Sequence, residues 1–197
     1  MAVGLDTLPT AEILALALGV SVSGLVAGFV AGLLGVGGGI VLVPVLYQVL
    51  AVLGVDDSVR MPLSVGTSLA TIIPTSIRST LSHHHAGKVD WGMLRALAWP
   101  TIAGVALGAL FAAMAGGKGL TGVFAAGAGS LGLWMLLAHQ DFRLADRLPG
   151  GWRGALIGIV NGGLSVMMGI GGGTFGVIAM TLCGVPIHRA VATAAGF

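Results

Sequence analysis

The sequence predicts an all-α, polytopic membrane protein with inverted repeats and glycine-broken helices. Three observations support this fold class: the scarcity of charge, a series of apolar segments long enough to enter a bilayer, and a glycine motif that occurs twice. Only 8% of the residues are Asp, Glu, Lys or Arg, whereas 56% are hydrophobic. A soluble domain carries about 25% charged residues, so this chain could not cover a water-facing surface.

Apolar segments separated by short polar turns run the length of the chain. A helix needs about 20 apolar residues to cross a bilayer, and some of these segments are shorter. Because open strands would leave backbone groups unpaired in lipid, we predict that all of them are helices. The predicted segments are Ile13–Leu34, Ile40–Val55, Pro62–Ile77, Leu94–Ala115, Leu120–Ala138, Ala155–Met168, Thr174–Val185 and a last run that begins at Ala190.

The distribution of Lys and Arg predicts the orientation. The loop from Arg78 to Arg95 and the loop from His139 to Arg153 each hold three basic residues, and two predicted spans separate them. Both loops therefore lie on one side, which the positive-inside rule makes cytoplasmic. The Asp56-Asp57 and Lys118 turns then face outside.

A sequence repeat predicts the architecture. Leu34-Gly-Val-Gly-Gly-Gly39 returns as Met168-Gly-Ile-Gly-Gly-Gly173, and Ser64-Val-Gly-Thr-Ser68 is echoed by Ala190-Val-Ala-Thr-Ala194. Five apolar segments separate the two starts, and an odd number inverts the second copy, as in many secondary transporters. We therefore divide the chain into a first repeat (1–138), a cytoplasmic connecting loop (139–153) and a partial inverted repeat (154–197). Because the second unit is much the shorter, we expect the sequence to be a truncated piece of a longer chain.

The two glycine motifs predict an anion site. Each glycine weakens a helix interior by roughly 1 kcal/mol relative to alanine, so several together should interrupt the helix. The helix that restarts then points an N-terminal end, with its unpaired N–H groups and partial positive charge, into the membrane interior. The candidate binding residues are Gly35, Gly37, Gly38, Gly39 and Ile40 in the first copy, and Gly169, Gly171, Gly172, Gly173 and Thr174 in the second.

The alternative interpretation is that glycines only allow helices to pack closely. We assign that role to four glycines outside the motifs, namely Gly104, Gly108, Gly127 and Gly154.

Hydroxyl side chains predict a lining for the same pathway. Their i, i+3, i+4, i+7, i+11 spacing places them on one helix face. The alternative is that each hydroxyl bonds the carbonyl four residues before it in its own helix. The stripe comprises Ser64, Thr67, Ser68, Thr71 and Thr75, and Thr67 ranks first because Thr193 repeats it.

The remaining polar side chains suggest one further site residue and no cofactor. Arg78 lies at the cytoplasmic end of its segment, where it would either attract anions or anchor the helix by snorkelling. His83-His84-His85 invites a metal site, but consecutive histidines rarely converge on one ion, so we predict a solvated loop and no bound metal. The chain has no basic stripe of the kind that binds nucleic acid.

These motifs resemble the TauE/SafE sulfite exporter family. The resemblance rests on Gly-Leu-Leu-Gly-Val-Gly-Gly-Gly with Pro44 downstream, on Ser-Val-Gly-Thr-Ser, on His-His-Ala-Gly-Lys-Val-Asp-Trp (84–91), and on the second glycine motif followed by Val-Pro-x-x-Arg-Ala-Val-Ala-Thr. It implies an inner-membrane transporter of small sulfur-containing anions such as sulfite, thiosulfate or organosulfonates. Ala194 stands where the first repeat has Ser68, so the second hydroxyl pair is incomplete.

From the residues and the resemblance together we predict a secondary transporter, not an enzyme, that uses alternating access around two broken helices. Its partners would be a small sulfur anion and the lipid bilayer. Two other functions stay open: an intramembrane metal-dependent enzyme that uses His83–His85, and a membrane scaffold that transports nothing. No acidic residue lies within a predicted span, so the sequence shows no proton relay.

Overall fold

The computed structural model describes residues 38–137, 145 and 148–197, with isolated positions 14, 18, 21, 22, 24, 25, 28 and 29 of the N-terminal segment. Within these residues the secondary structure is helical, without strands, which confirms the predicted all-α class. The predicted span Ile13–Leu34 and the predicted loop 139–153 fall largely outside the described residues. The helices are α1 (Gly39–Val52), α2 (Asp57–His85), α3 (Trp91–Leu137), α4 (Gly151–Met168), α5 (Gly173–Leu182) and α6 (Ile187–Ala194).

Helix α3 is two helices joined at a glycine. Gly116 has a φ of 63°, outside the helical range, and it separates an arm of residues 91–115 from an arm of residues 117–137. This break confirms the turn predicted between Leu94–Ala115 and Leu120–Ala138. Of the helices in the described residues, α3 is long and apolar enough to cross a membrane, while α1 and α5 are shorter apolar helices.

The turn between α1 and α2 is held by polar side chains. Asp56 caps α2 by accepting a hydrogen bond from the Ser58 N–H at 2.9 Å. The hydrogen bonds from the Ser58 hydroxyl and N–H hold the pKa of Asp56 below its ordinary value. Asp57 accepts from the Tyr47 hydroxyl at 2.8 Å and pairs with Arg60 at 3.1 Å, which ties the end of α1 to the start of α2.

Helix α2 is longer than predicted, because it continues through the three histidines to His85. Several of its hydroxyls donate to carbonyls of their own helix, as Thr75 does to Thr71 at 3.0 Å, and are thereby satisfied within it. The helix ends where Gly87 adopts a positive φ of 67°. The histidines therefore belong to a helix end rather than to a loop.

Helices α3 and α4 pack backbone to backbone through glycines. A Cβ added at Gly104 would overlap the Ile159 carbonyl, and one at Gly108 would lie 2.6 Å from the Gly163 carbonyl oxygen. From the other side, a Cβ at Gly162 would overlap the Thr101 carbonyl. The packing role predicted for Gly104 and Gly108 is thus confirmed, since no larger residue fits between these helices.

Candidate functional site

The second glycine motif forms a helix break, and it touches the start of α1, which is the described part of the first break. Helix α4 ends at Met168, and α5 begins at Gly173 after a bend through Gly169 and Gly171, both of which have a φ of 68°. The first motif ends at the start of α1, where a Cβ added at Gly39 would overlap the carbonyl oxygen of Gly169. The described parts of the two motifs therefore meet through their backbones.

Helix α2 closes around the second break. Ser68 is fully buried and donates a hydrogen bond of 2.6 Å to the carbonyl of Gly169. The backbone of Val65 lies beside the same glycine. Ser64, one turn earlier, instead donates to the Arg60 carbonyl of its own helix at 2.8 Å. The two serines of this motif thus have different roles: Ser68 joins α2 to the second glycine motif, whereas Ser64 bonds within α2.

A cleft of about 570 Å³ opens beside these breaks. Among the predicted site residues, Gly38, Gly171 and Gly173 line it, so both glycine motifs contribute to one cavity. The polar side chains that line the cleft come from helix α2; they are Thr71, Thr75, Ser76, Ser79 and His83. The remaining lining is Gly24, Gly28, Leu42, Ile72, Ile170, Val177, Val191, Ala194 and Ala195.

The N-terminal ends of α1 and α5 are the strongest candidates for binding an anion in this cleft. Gly38 and Gly172 stand at their N-terminal caps, and the first N–H groups of a helix have no acceptor within it. Helix N-termini also carry a partial positive charge, which favours an anion. Both helix starts lie at the cleft, as the lining positions Gly38 and Gly173 show.

The hydroxyls of α2 are weaker donors, because their protons are already used. Thr71 donates to the Ser68 carbonyl at 2.7 Å, Thr75 to that of Thr71 at 3.0 Å, and Ser76 to that of Ile73 at 3.0 Å. An anion would have to rotate each hydroxyl away from a backbone carbonyl before it could receive that proton. Helix-terminal N–H groups, in contrast, have no acceptor within their own helix.

Two residues that the repeat pairs with each other lie in different surroundings. Thr67 is exposed and lies outside the cleft lining. Thr193 is buried, and its hydroxyl oxygen accepts a hydrogen bond of 3.1 Å from the N–H of Asp90, the residue before α3. Asp90 also pairs with Arg189 at 2.8 Å. Thr193 therefore joins α6 to the start of α3.

The other predicted site residues in the described part of the chain do not line the cleft. Ile40 packs against the cluster formed by Met168 and Ile170. Gly172 is buried, and a Cβ there would lie 2.6 Å from the Cβ of Phe197. Thr174 is buried and Arg78 is exposed. Gly35 and Gly37 lie outside the described residues.

His83 lines the cleft, whereas the sequence motif suggested it only as a possible metal ligand. It lies on α2 four residues after Ser79, which in turn follows Ser76 by three, so all three share a helix face. His84 points elsewhere, since its Nδ1 accepts a 3.2 Å hydrogen bond from the indole of Trp91. In the part of the chain that the structure describes, no three His, Cys, Asp or Glu side chains are placed to hold a metal. The i, i+4 spacing of Thr75, Ser79 and His83 is the pattern that could have predicted this position.

The chain is similar to proteins of one family. The model of the sulfite exporter TauE/SafE family matches residues 20–197. A "Probable membrane transporter protein" of Haemophilus influenzae is 34% identical over 172 residues, which cover 87% of this chain and 65% of that protein. Another, of Methanocaldococcus jannaschii, is 29% identical over 179 residues, 88% of this chain and 64% of that protein. The chain thus spans somewhat less than two thirds of the length of these relatives, and no solved structure matches it.

Proposed function

The chain belongs to the sulfite exporter TauE/SafE family, and on that premise we propose that it is a secondary transporter that moves small sulfur-containing anions across the cell inner membrane. Sulfite, thiosulfate and organosulfonates are the substrates to test. The printed names of the two relatives, both probable membrane transporter proteins, support transport in a membrane but name no substrate.

One observation carries the proposal: two helix N-termini from separate parts of the sequence open onto one cleft. Gly38 and Gly173 line it, and both belong to helix starts. A site made of backbone N–H groups binds an anion mainly through partial charges, since the described lining contains no Lys or Arg and His83 is its one side chain that can carry positive charge. Such binding is weak enough to reverse, which a carrier requires because it must release its substrate on the far side.

The contact between the breaks supports alternating access as the mechanism. Gly39 lies against Gly169 with no side chain between them, so the two broken helices can shift past each other without displacing a side chain. Ser68 reaches across to the same glycine. In this proposal the two inverted repeats rock about that contact, and the cleft opens first to one side of the membrane and then to the other.

The alternative functions find less support in the described residues. An intramembrane metal enzyme would need His83, His84 and His85 to converge, but His83 lines the cleft while His84 packs against Trp91 with ring centroids 5.2 Å apart. A scaffold without transport gives no reason for a cleft at two helix starts that is lined by hydroxyl side chains.

Uptake into proteoliposomes tests the substrate. Vesicles that contain the chain should accumulate ³⁵S-labelled sulfite, thiosulfate or an organosulfonate, and excess unlabelled substrate should suppress the signal. Empty vesicles and an equal concentration of labelled sulfate are the controls. Absence of flux for every sulfur anion, from protein shown to be folded, would refute the proposal.

The proposed multi-pass orientation has its own test. A cysteine introduced at Lys88 should react with an impermeant thiol reagent only from the cytoplasm, and one at Lys118 only from outside. The native Cys183 is buried, and the parent chain measures its background labelling. Labelling of both positions from one side would contradict the orientation.

A further inference from the structure

Two buried polar atoms on α4 have no hydrogen-bond partner among the described residues. They are the side-chain oxygens Asn161 Oδ1 and Ser165 Oγ, whose residues are 5% and 1% exposed. Residues four apart on a helix lie one above the other, so the two oxygens share a face. Buried polar groups are nearly always paired, and leaving one unpaired is costly. These oxygens therefore point to a ligand.

Both side chains lie at the second helix break. The Nδ2 atom of Asn161 is 3.5 Å from the point where a Cβ of Gly172 would be, which places the amide beside the N-terminal cap of α5. Ser165 lies in the last turn of α4, where its carbonyl accepts from the Ile170 N–H at 3.1 Å. The pair thus lies between the C-terminal end of one helix and the N-terminal end of the next.

The chemistry of this position favours a cation. The C-terminal end of a helix carries a partial negative charge, and the amide and hydroxyl supply two more oxygens. Among the described residues the acidic side chains are those of Asp56, Asp57 and Asp90, which lie at the starts of α2 and α3. A divalent ion generally requires carboxylates, whereas neutral oxygens can replace the hydration of a monovalent ion.

We propose that Asn161, Ser165 and the C-terminal carbonyls of α4 bind a monovalent alkali cation, Na⁺ or K⁺. The described residues supply no carboxylate there, so the charge of the cation must be balanced by another group. The anion in the cleft would provide it, because Gly171 and Gly173 line the cleft and flank Gly172, which faces Asn161. This coupling rests on the proposed anion transport, whereas the cation site itself does not. Each ligand should then raise the affinity for the other by the same factor.

Thermal unfolding in detergent tests the site without transport. Melting is compared in NaCl, KCl and N-methyl-D-glucamine chloride at equal ionic strength and without any sulfur anion. A cation at roughly ten times its Kd should raise the melting temperature by about 3–6 °C. Ser165→Ala and Asn161→Leu should remove that rise. Thr181→Val is the matched control, because its hydroxyl already bonds the Val177 carbonyl at 2.9 Å, and it should keep the rise.

The outcomes separate the possibilities. Equal melting in all three salts would mean that water alone occupies the site, and the inference would fail. Should Asn161→Leu not fold, Ser165→Ala removes a single oxygen and still decides the question. Repeating the melts with sulfite tests the coupling: a cation effect that sulfite leaves unchanged keeps the site but counts against the anion function. Sulfite uptake that is equally fast in all three salts keeps the function and overturns the coupling.

Discussion

The two helix breaks share a sequence motif but differ in their surroundings. Gly38, in the first, has a helical φ of −64°, and a Cβ added there meets nothing within 4 Å. The second is enclosed: Gly169 and Gly171 have positive φ angles, and Gly172 lies against Phe197. The first break is therefore open to the cleft, whereas the second is also packed against neighbouring helices. A repeated motif thus does not make its positions equivalent.

The largest effect is expected at the contact between the breaks. Gly39→Ala places a Cβ against the backbone of Gly169 and Ile170, which cannot move aside like a flexible side chain. Overpacking of a core lowers the free energy of unfolding by about 1–3 kcal/mol, and we expect a clash with backbone to cost at least the upper end of that range. Size-exclusion chromatography in detergent should show loss of the monodisperse protein. Gly38→Ala is the matched control and should behave as wild type, so failure of both would mean that the first break is as tightly packed as the second.

The next effect is on transport without loss of folding. Gly38→Val adds a branched side chain at a lining position where nothing obstructs it. It should insert and melt normally, yet slow anion uptake by at least about tenfold, equivalent to ~1.4 kcal/mol of binding. Uptake is compared at equal protein content with Gly122→Val, which also has open space around it. An unchanged rate in Gly38→Val would remove the first break from the anion site.

Sequence reasoning found the helices because their signals are local. Apolar runs and glycine turns placed the helices and the break at Gly116 close to where they occur. It could not show that Gly39 touches Gly169, because that contact depends on how distant segments pack. It also predicted a loop at the histidines, since their polarity gave no sign that α2 would continue to His85.

A smaller effect is expected from backbone strain at the second break. Gly171→Ala must hold a φ of 68°, which costs an L-residue about 1–2 kcal/mol, and its Cβ would lie 3.1 Å from the Cγ2 of Ile72. Melting in detergent should fall by several degrees. Gly171→Asn should lose less stability to backbone strain than Gly171→Ala, because asparagine tolerates a positive φ better than alanine does. Equal stability of Gly171→Ala and wild type would show that the second break is as unconstrained as the first.

The smallest effect is expected at Thr67, which the repeat pairs with Thr193. Sequence symmetry predicts that Thr67→Val and Thr193→Val behave alike, whereas the structure predicts that they differ. Thr193→Val leaves the partly buried N–H of Asp90 without its acceptor and should lower stability by about 1–3 kcal/mol. Thr67→Val changes an exposed side chain and should stay within about 0.5 kcal/mol, with normal uptake. Melting and sulfite uptake are measured on both. Slower uptake in Thr67→Val at unchanged stability would place Thr67 in the anion pathway, and the pathway would then extend beyond the cleft at the two breaks.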